Sequence, residues 1–161
     1  MLAMKAESRG DREASLGHLR VRMANTIGVN DGGGRILNSS GQRNEPEAFR
    51  KPARWVDYSG PITREQTAGI TLMDHPKNPG HPTPFHLRDN GRMGVSPTLH
   101  HSIIITRDRP LRLRYALWIH PDVPDTGKID VQWQQFAHEK LHDLKAKRQE
   151  KTGVQEKTPE K

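Results

Sequence analysis

Short runs of alternating apolar and polar residues recur along the first 120 positions of the chain. In residues 18–24, leucine, valine and methionine alternate with two arginines. Successive side chains of a strand point to opposite faces of its sheet, so this alternation predicts a strand with one buried face. The same reasoning predicts strands at residues 53–58, 68–73, 100–106 and 111–120.

Segments rich in glycine, proline and polar residues separate the predicted strands. The glycines of residues 30–34 permit positive φ and therefore a tight turn. Residues 38–52 are expected to form an exposed polar loop. The strand at 111–120 has two different faces: Leu111, Leu113, Tyr115, Leu117 and Ile119 share one, and Arg112, Arg114, Trp118 and His120 share the other.

One helix is predicted near the end of the chain. Asp125 or Thr126 can act as its N-cap, because a side-chain oxygen there accepts from the free N–H groups of the first turn. Residues at helical spacing then form a stripe that should pack on a sheet. The stripe consists of Ile129, Trp133, Phe136, Ala137, Lys140 and Leu144.

Together these elements predict a mainly β protein, an antiparallel β-sandwich with one C-terminal helix. Short strands joined by turns, without regular strand-helix alternation, favour that fold class. Only 32% of the residues are apolar, so part of the chain need not fold. We expect a sandwich domain at 18–144, a poorly structured segment at 1–17 and a disordered charged tail at 145–161.

The formal net charge of +7 raises the question of nucleic-acid binding. Up to residue 138 the chain has fifteen Arg and four Lys, and arginine suits planar, bidentate partners such as carboxylates and phosphates. The sequence shows no helix-turn-helix, zinc finger or aromatic RNA-binding signature, so we do not expect nucleic acid to be a partner. It also shows no membrane-spanning run and no cysteine, which predicts a soluble chain of undetermined compartment.

The segment DHPKNPGHPTPFH at residues 74–86 is the strongest candidate for a functional loop. Its prolines fix φ and remove backbone donors, so the side chains are presented from a stiff frame. Asp74, His75, His81 and His86 are ligand types that iron or zinc can use. The spacing matches no established metal motif, and these histidines can equally bond the loop backbone and line a polar groove. No cofactor follows from the sequence.

A second candidate lies in residues 54–58, where Trp55 and Asp57 share one face of a predicted strand. An indole can stack on a sugar ring while a carboxylate bonds its hydroxyls. A buried tryptophan with Asp57 paired to an arginine is the alternative interpretation. Polar residues of the loop at 35–45 and of the proline-rich loop complete the candidate ligand-binding set: Asn38, Arg43, Asn44, Trp55, Asp57, Asp74, His75, Asn78, His81, Thr83, His86 and Arg88.

Four segments resemble a bacterial family of unknown function whose members carry the name methane oxygenase PmoA. They are GGRILNSSGQRNE (33–45), ARWVDYSGP (53–61), GITLMDHPKNPGHPTPFHLRDNG (69–91) and PLRLRYALWIH (110–120). The resemblance covers residues 16–138 and only the C-terminal part of the family's domain. It implies a sandwich like that of sugar-mutarotase domains, and a fragment that needs N-terminal strands or self-association. A membrane methane monooxygenase would need spanning segments that this sequence lacks.

Three functions therefore stand open at the level of sequence. The first is binding or processing of a carbohydrate or related polyol in a polar groove. The second is a metal-dependent oxygenase or hydrolase that uses the histidines and Asp74. The third is a non-catalytic, truncated structural module.

Overall fold

The computed structural model describes residues 19–100, 102–105 and 111–139, which form two antiparallel sheets and a C-terminal helix. Arg35–Asn38 (β2), Trp55–Pro61 (β3), Thr67–Asp74 (β4) and Tyr115–Pro121 (β7) make a four-stranded sheet in the order β2-β3-β4-β7. Arg20–Arg22 (β1), Phe85–Arg88 (β5) and Arg92–Val95 (β6) make a three-stranded sheet in the order β1-β6-β5. The helical segments are a 3₁₀ turn at Asn25–Ile27, α1 at Val29–Gly32, α2 at Asn44–Ala48 and α3 at Thr126–His138.

The main core lies between the two sheets. Strand alternation directs one face of each sheet inward, so that apolar residues of both sheets meet. Complete burial of each such side chain stabilises the fold by about 1.5–3 kcal/mol. The fully buried members include Ile36, Val56, Tyr58, Leu72, Phe85 and Leu87.

Helix α3 covers part of the opposite face of the four-stranded sheet. Asp125 is its N-cap and accepts a hydrogen bond from the backbone N–H of Lys128 at 2.8 Å. Ile129 is fully buried against Trp55, and Trp133 and Phe136 of the same helix face pack there too. The predicted cap and most of the predicted stripe are thus confirmed, with the stripe's last two members outside the described residues.

Beyond α3, the same sheet face carries a buried polar cluster made by Asp57, Ser59, Thr71 and His120. The register of the sheet explains it, because Ser59, Gly69 and His120 are adjacent across β3, β4 and β7. Asp57 accepts hydrogen bonds at 2.8 Å from the hydroxyls of Ser59 and Thr71 and from Nε2 of His120. A buried carboxylate is costly unless it is paired and hydrogen-bonded, and here that condition is met.

The prediction of a mainly β fold with two antiparallel sheets and a C-terminal helix is confirmed. The predicted strands at 53–58 and 68–73 correspond to β3 and β4, and the strand at 18–24 to the shorter β1. The described part of the predicted strand at 100–106, residues 102–105, belongs to no strand. Strands β5 and β6, joined by the tight turn at residues 89–91, were not predicted.

Two further predictions are wrong in part. The segment 38–52 is not simply an exposed loop, because it contains α2, and Asn38 and Ala48 are buried. The strand predicted at 111–120 begins only at Tyr115, where pairing with β4 begins. The segments predicted to be poorly structured, 1–17 and 145–161, lie outside the described residues, as does the end of the domain after 139. No described helix has both the length and the apolar character that a membrane span requires.

We expect Gly69→Ala to destabilise the fold by about 1–3 kcal/mol, because the new methyl group would overpack the polar cluster. A Cβ at this position would lie 2.5 Å from Cε1 of His120 and 2.6 Å from Cβ of Ser59. Urea unfolding followed by tryptophan fluorescence measures the change. The exposed control Gln66→Ala should change the free energy of unfolding by less than about 0.5 kcal/mol. Equal midpoints for both variants would contradict the tight packing of His120 over Gly69.

Candidate functional site

The carboxylate of Asp74, at the end of β4, organises the proline-rich loop. Its Oδ1 accepts a hydrogen bond from Nδ2 of Asn78 at 2.7 Å. Its Oδ2 accepts from the backbone N–H of Thr83 and from Nδ1 of His81, both at 2.8 Å. Asp74 is fully buried, and these contacts bind its carboxylate to the middle and the later part of the loop.

His81 is the member of this group that reaches the surface. Its side chain is 16% exposed, and its Nδ1 faces Asp74. A carboxylate accepts hydrogen bonds, so Nδ1 carries the proton and Nε2 carries the lone pair of the neutral ring. Among the described residues Nε2 has no hydrogen-bond partner, which leaves an oriented acceptor at the protein surface.

Trp133 of α3 lies beside His81 and is held to the same loop. The two rings are nearly parallel, with an interplanar angle of 14° and a centroid distance of 6.1 Å. The indole N–H of Trp133 donates to the backbone oxygen of Asp74 at 2.9 Å. The guanidinium of Arg54 lies 4.9 Å from the Trp133 ring centroid and forms an ion pair with Asp130 at 3.1 Å. We call His81, Trp133, Arg54 and Asp130, with Asp74 behind them, the His81 site.

His75 supports the loop from inside the protein. Its Nε2 lies 2.9 Å from Nη1 of Arg114, and the backbone N–H of Lys77 points to its Nδ1 at 3.1 Å. Its ring is also fully buried against Phe136. Burial first, and then the charges of Arg114 and Lys77, hold the pKa of His75 below its usual value. A neutral imidazole accepts at one nitrogen only, so His75 is a neutral structural group that accepts either from the guanidinium of Arg114 or from the backbone N–H of Lys77.

Two hydroxyl groups near Asp74, those of Thr83 and Tyr115, are buried and have no hydrogen-bond partner among the described residues. Burial and the Asp74 carboxylate raise the pKa of Tyr115, and the nearby Thr83 hydroxyl acts in the opposite direction. The two hydroxyls are neighbours, but their contact does not reach hydrogen-bond geometry. Tyr115 also packs against the main apolar core, so its hydroxyl lies at the boundary between that core and the loop.

The structure places Trp55 and Asp57 on the sheet face that α3 and the polar cluster cover. Trp55 is buried and its indole N–H donates to Asp130 at 2.8 Å. Asp57 is buried among hydroxyls and His120 rather than paired with an arginine. These two residues pack the sheet, and of the pair only Trp55 touches the His81 site, through Asp130.

A separate group lies where α2 meets β5. Asn44 accepts from the backbone N–H of Ile36 at 2.9 Å, and Arg88 forms an ion pair with Glu45. Burial raises the pKa of Glu45. The hydrogen bond from the backbone N–H of Asp89 and the contact with Arg88 lower it more, so the pKa of Glu45 lies below its usual value. His86 packs edge-to-face on Phe49 at a centroid distance of 5.3 Å. Asn44, His86 and Arg88 therefore belong to this group.

Asn38 is the last residue of β2, and Arg43 lies in the turn region that follows it. The side chain of Asn38 accepts from the backbone N–H groups of Ser40 and Gln42, both at 3.0 Å. Arg43 is exposed, and its backbone N–H donates to Glu47. The structure thus brings Asp74, Asn78, His81 and Thr83 together and distributes the other candidates elsewhere.

The four candidate metal ligands do not converge. Asp74 and His81 are in contact, whereas His75 faces Arg114 and His86 faces Phe49. Within the described residues, no group of three or more His, Cys, Asp or Glu side chains could hold a metal ion. The geometry therefore favours hydrogen bonding rather than metal coordination at this loop.

Sequence patterns did not identify several residues that complete these groups. Trp133 was predicted only as part of an apolar stripe, and Arg114 only as one side of a strand. A usable signal did exist for the polar cluster, because Asp57, Ser59 and His120 are polar residues inside otherwise apolar strands. Pairing them required the strand register, which depends on the tertiary fold.

The comparisons with known proteins bear on the family. The model of a family of unknown function (DUF6807) matches residues 5–134. No curated protein and no solved structure matches the chain. The comparisons give no support to the name methane oxygenase PmoA. Since the match covers most of its length, the chain belongs to this family of unknown function.

Proposed function

We propose that this protein binds a carbohydrate or a related polyol at the His81 site. The observation that carries the proposal is the pair formed by buried Asp74 and partly exposed His81. The pair fixes an imidazole acceptor at the surface, beside an aromatic ring. A site of this kind, with a few oriented polar groups around an aromatic surface, is typical of small polar ligands.

The neighbouring groups supply the complementary chemistry. A sugar hydroxyl can donate to Nε2 of His81 and accept from the guanidinium of Arg54, whose side chain is 39% exposed. The carboxylate of Asp130 adds a second acceptor. Apolar C–H groups of a sugar can pack on the exposed part of Trp133. Donors, acceptors and an aromatic surface are thus present within one small area.

Asp74 also gives His81 the capacity to act as a general base. A carboxylate that binds Nδ1–H keeps the imidazole in the tautomer whose Nε2 can accept a proton. We propose binding as the function, and proton transfer to a bound hydroxyl is the chemistry that this geometry would permit.

We expect tryptophan fluorescence of the full chain to respond to one class in a panel of monosaccharides, polyols and uronic acids. Ligand binding to the folded state should also raise the thermal unfolding midpoint. His81→Ala should weaken binding by about tenfold, because the ligand would lose one hydrogen bond and the contact with the imidazole ring. The control His86→Ala removes a histidine of β5, outside the His81 site, and should leave affinity unchanged. No response to any compound, or equal effects of both variants, would contradict the proposal.

The structural role of His75 leads to a different expectation, in stability rather than in binding. The folded pKa of His75 lies below its ordinary value of 6.5, so below pH 6.5 the unfolded state binds more protons than the folded state. The free energy of unfolding should therefore fall as pH decreases from 6.5, by at most about 1.4 kcal/mol per pH unit. His75→Gln should make the free energy of unfolding depend less steeply on pH. Urea unfolding at about pH 7.5, 6.5 and 5.5, values on both sides of the ordinary histidine pKa, measures this slope. An unchanged slope would contradict the neutral, buried assignment.

A further inference from the structure

The edges of the two sheets differ in how their backbone groups are covered. At the outer edge of β2, the N–H of Asn38 donates to Gln42 at 3.1 Å and the N–H of Ile36 donates to Asn44. At the outer edge of β5, the backbone N–H of Phe85 donates to the backbone oxygen of Lys51 at 3.1 Å. The backbone oxygen of Phe85 accepts from the N–H of Arg50 at 2.9 Å. Both edges are therefore closed by segments of the same chain.

The other two edges are β1 and β7. Strand β1 is short and carries two exposed arginines, a combination that resists edge-to-edge pairing. Strand β7 has seven residues, pairs on one side with β4, and has no partner on its other side within the described part of the chain. Leu117 is 47% exposed and Ile119 is 74% exposed. A long edge with exposed aliphatic side chains is the kind that another strand can pair with.

We propose that β7 pairs with β7 of a second copy of this chain, in an antiparallel, two-fold symmetric arrangement. A register centred on Leu117 places Leu117 opposite its own equivalent and Tyr115 opposite the partner's Ile119. Directly opposed residues of antiparallel strands lie on the same face, so the exposed aliphatic side chains of both copies form one continuous stripe.

Charge beyond the two ends of the strand selects the second copy as the occupant. Arg112 lies three residues before β7 and Asp122 one residue after it, and the same register, continued past the strand, brings each of them towards the other in the partner, at both ends of the interface. Arg112 and Asp122 are both exposed. The chain as a whole carries a net charge of +7, which opposes self-association. Paired opposite charges at both ends of the interface offset this repulsion locally and fix the antiparallel direction.

A shallow groove of about 530 Å³ lies between β7 and α3, on the opposite face of the sheet, and also borders this edge. Met73, Ala116, Trp118 and Phe136 line it, together with polar residues of α3. The groove borders the free edge, so a paired strand would bring its own side chains to the mouth of the groove. The interface would then include both faces of the joined sheet.

Sedimentation velocity on the full chain tests the proposal, and we expect a concentration-dependent dimer. Arg112→Glu and Asp122→Lys should each raise the dimer dissociation constant by about tenfold, because each creates two like-charge pairs. The double variant Arg112→Glu/Asp122→Lys should restore the wild-type value. Asp122→Asn, which suits the positive φ of 59° at this position, should show an intermediate loss. Ile119→Lys should abolish the dimer, and the exposed control Ile62→Lys should not.

Thermal unfolding of each variant separates loss of pairing from loss of folding, because the substituted side chains are exposed. A monomer at all concentrations would overturn the proposal, as would a double variant that fails to recover the dimer. Slow hydrogen exchange in a monomer at those β7 amides that point away from β4 would overturn it too, because another segment of the chain would then cover the edge. Rapid exchange at this edge in the monomer, with protection at dimer concentrations, would support it.

Discussion

The buried carboxylate of Asp74 is the interaction on which the proline-rich loop depends. A charge removed from water destabilises a protein by several kcal/mol unless hydrogen bonds compensate it. Asn78, His81 and Thr83 provide those bonds, and they come from the middle and the end of the loop. The loop therefore cannot leave the sheet without exposing or orphaning this carboxylate. Its stiffness has an electrostatic cause in addition to the conformational restriction of its prolines.

Asn78 extends this effect to β7. Its side chain donates to the backbone oxygen of Arg114 at 2.6 Å and accepts from the backbone N–H of the same residue at 2.7 Å. The backbone N–H of His75 also donates to this oxygen, at 3.3 Å, and the amide oxygen of Asn78 takes the place of the carbonyl that would accept from the N–H of Arg114. The pairing of β4 with β7 ends at Asp74 and Tyr115, and Asn78 continues it by one residue. The loop, the sheet edge and α3 are thus parts of one hydrogen-bonded assembly.

The sequence predicted elements well where one strand face is consistently buried, as in β3 and β4. It did not predict β5 and β6, because each has only four residues and too little alternation to exceed the polar background. The turn Asp89-Asn90-Gly91 between them was an available signal, since Asn-Gly suits a tight hairpin. The sequence singled out the proline-rich loop, but it did not predict which side chains of that loop meet around Asp74. Asp57 could face a ligand, an arginine or His120, depending on how β3, β4 and β7 are aligned. The local pattern of apolar and polar residues does not specify that alignment.

The comparison of Asp57 and Asp74 shows how identical chemistry leads to different roles. Both carboxylates are fully buried on neighbouring central strands, and both contact a histidine at 2.8 Å. His120 is itself enclosed, and its second nitrogen lies 3.2 Å from the backbone oxygen of Pro121, so every polar atom of that cluster is engaged inside the protein. His81 differs because its second nitrogen reaches the surface beside Trp133. An oriented, unengaged acceptor is what a ligand can recognise, and this difference in enclosure separates the candidate site from the polar core.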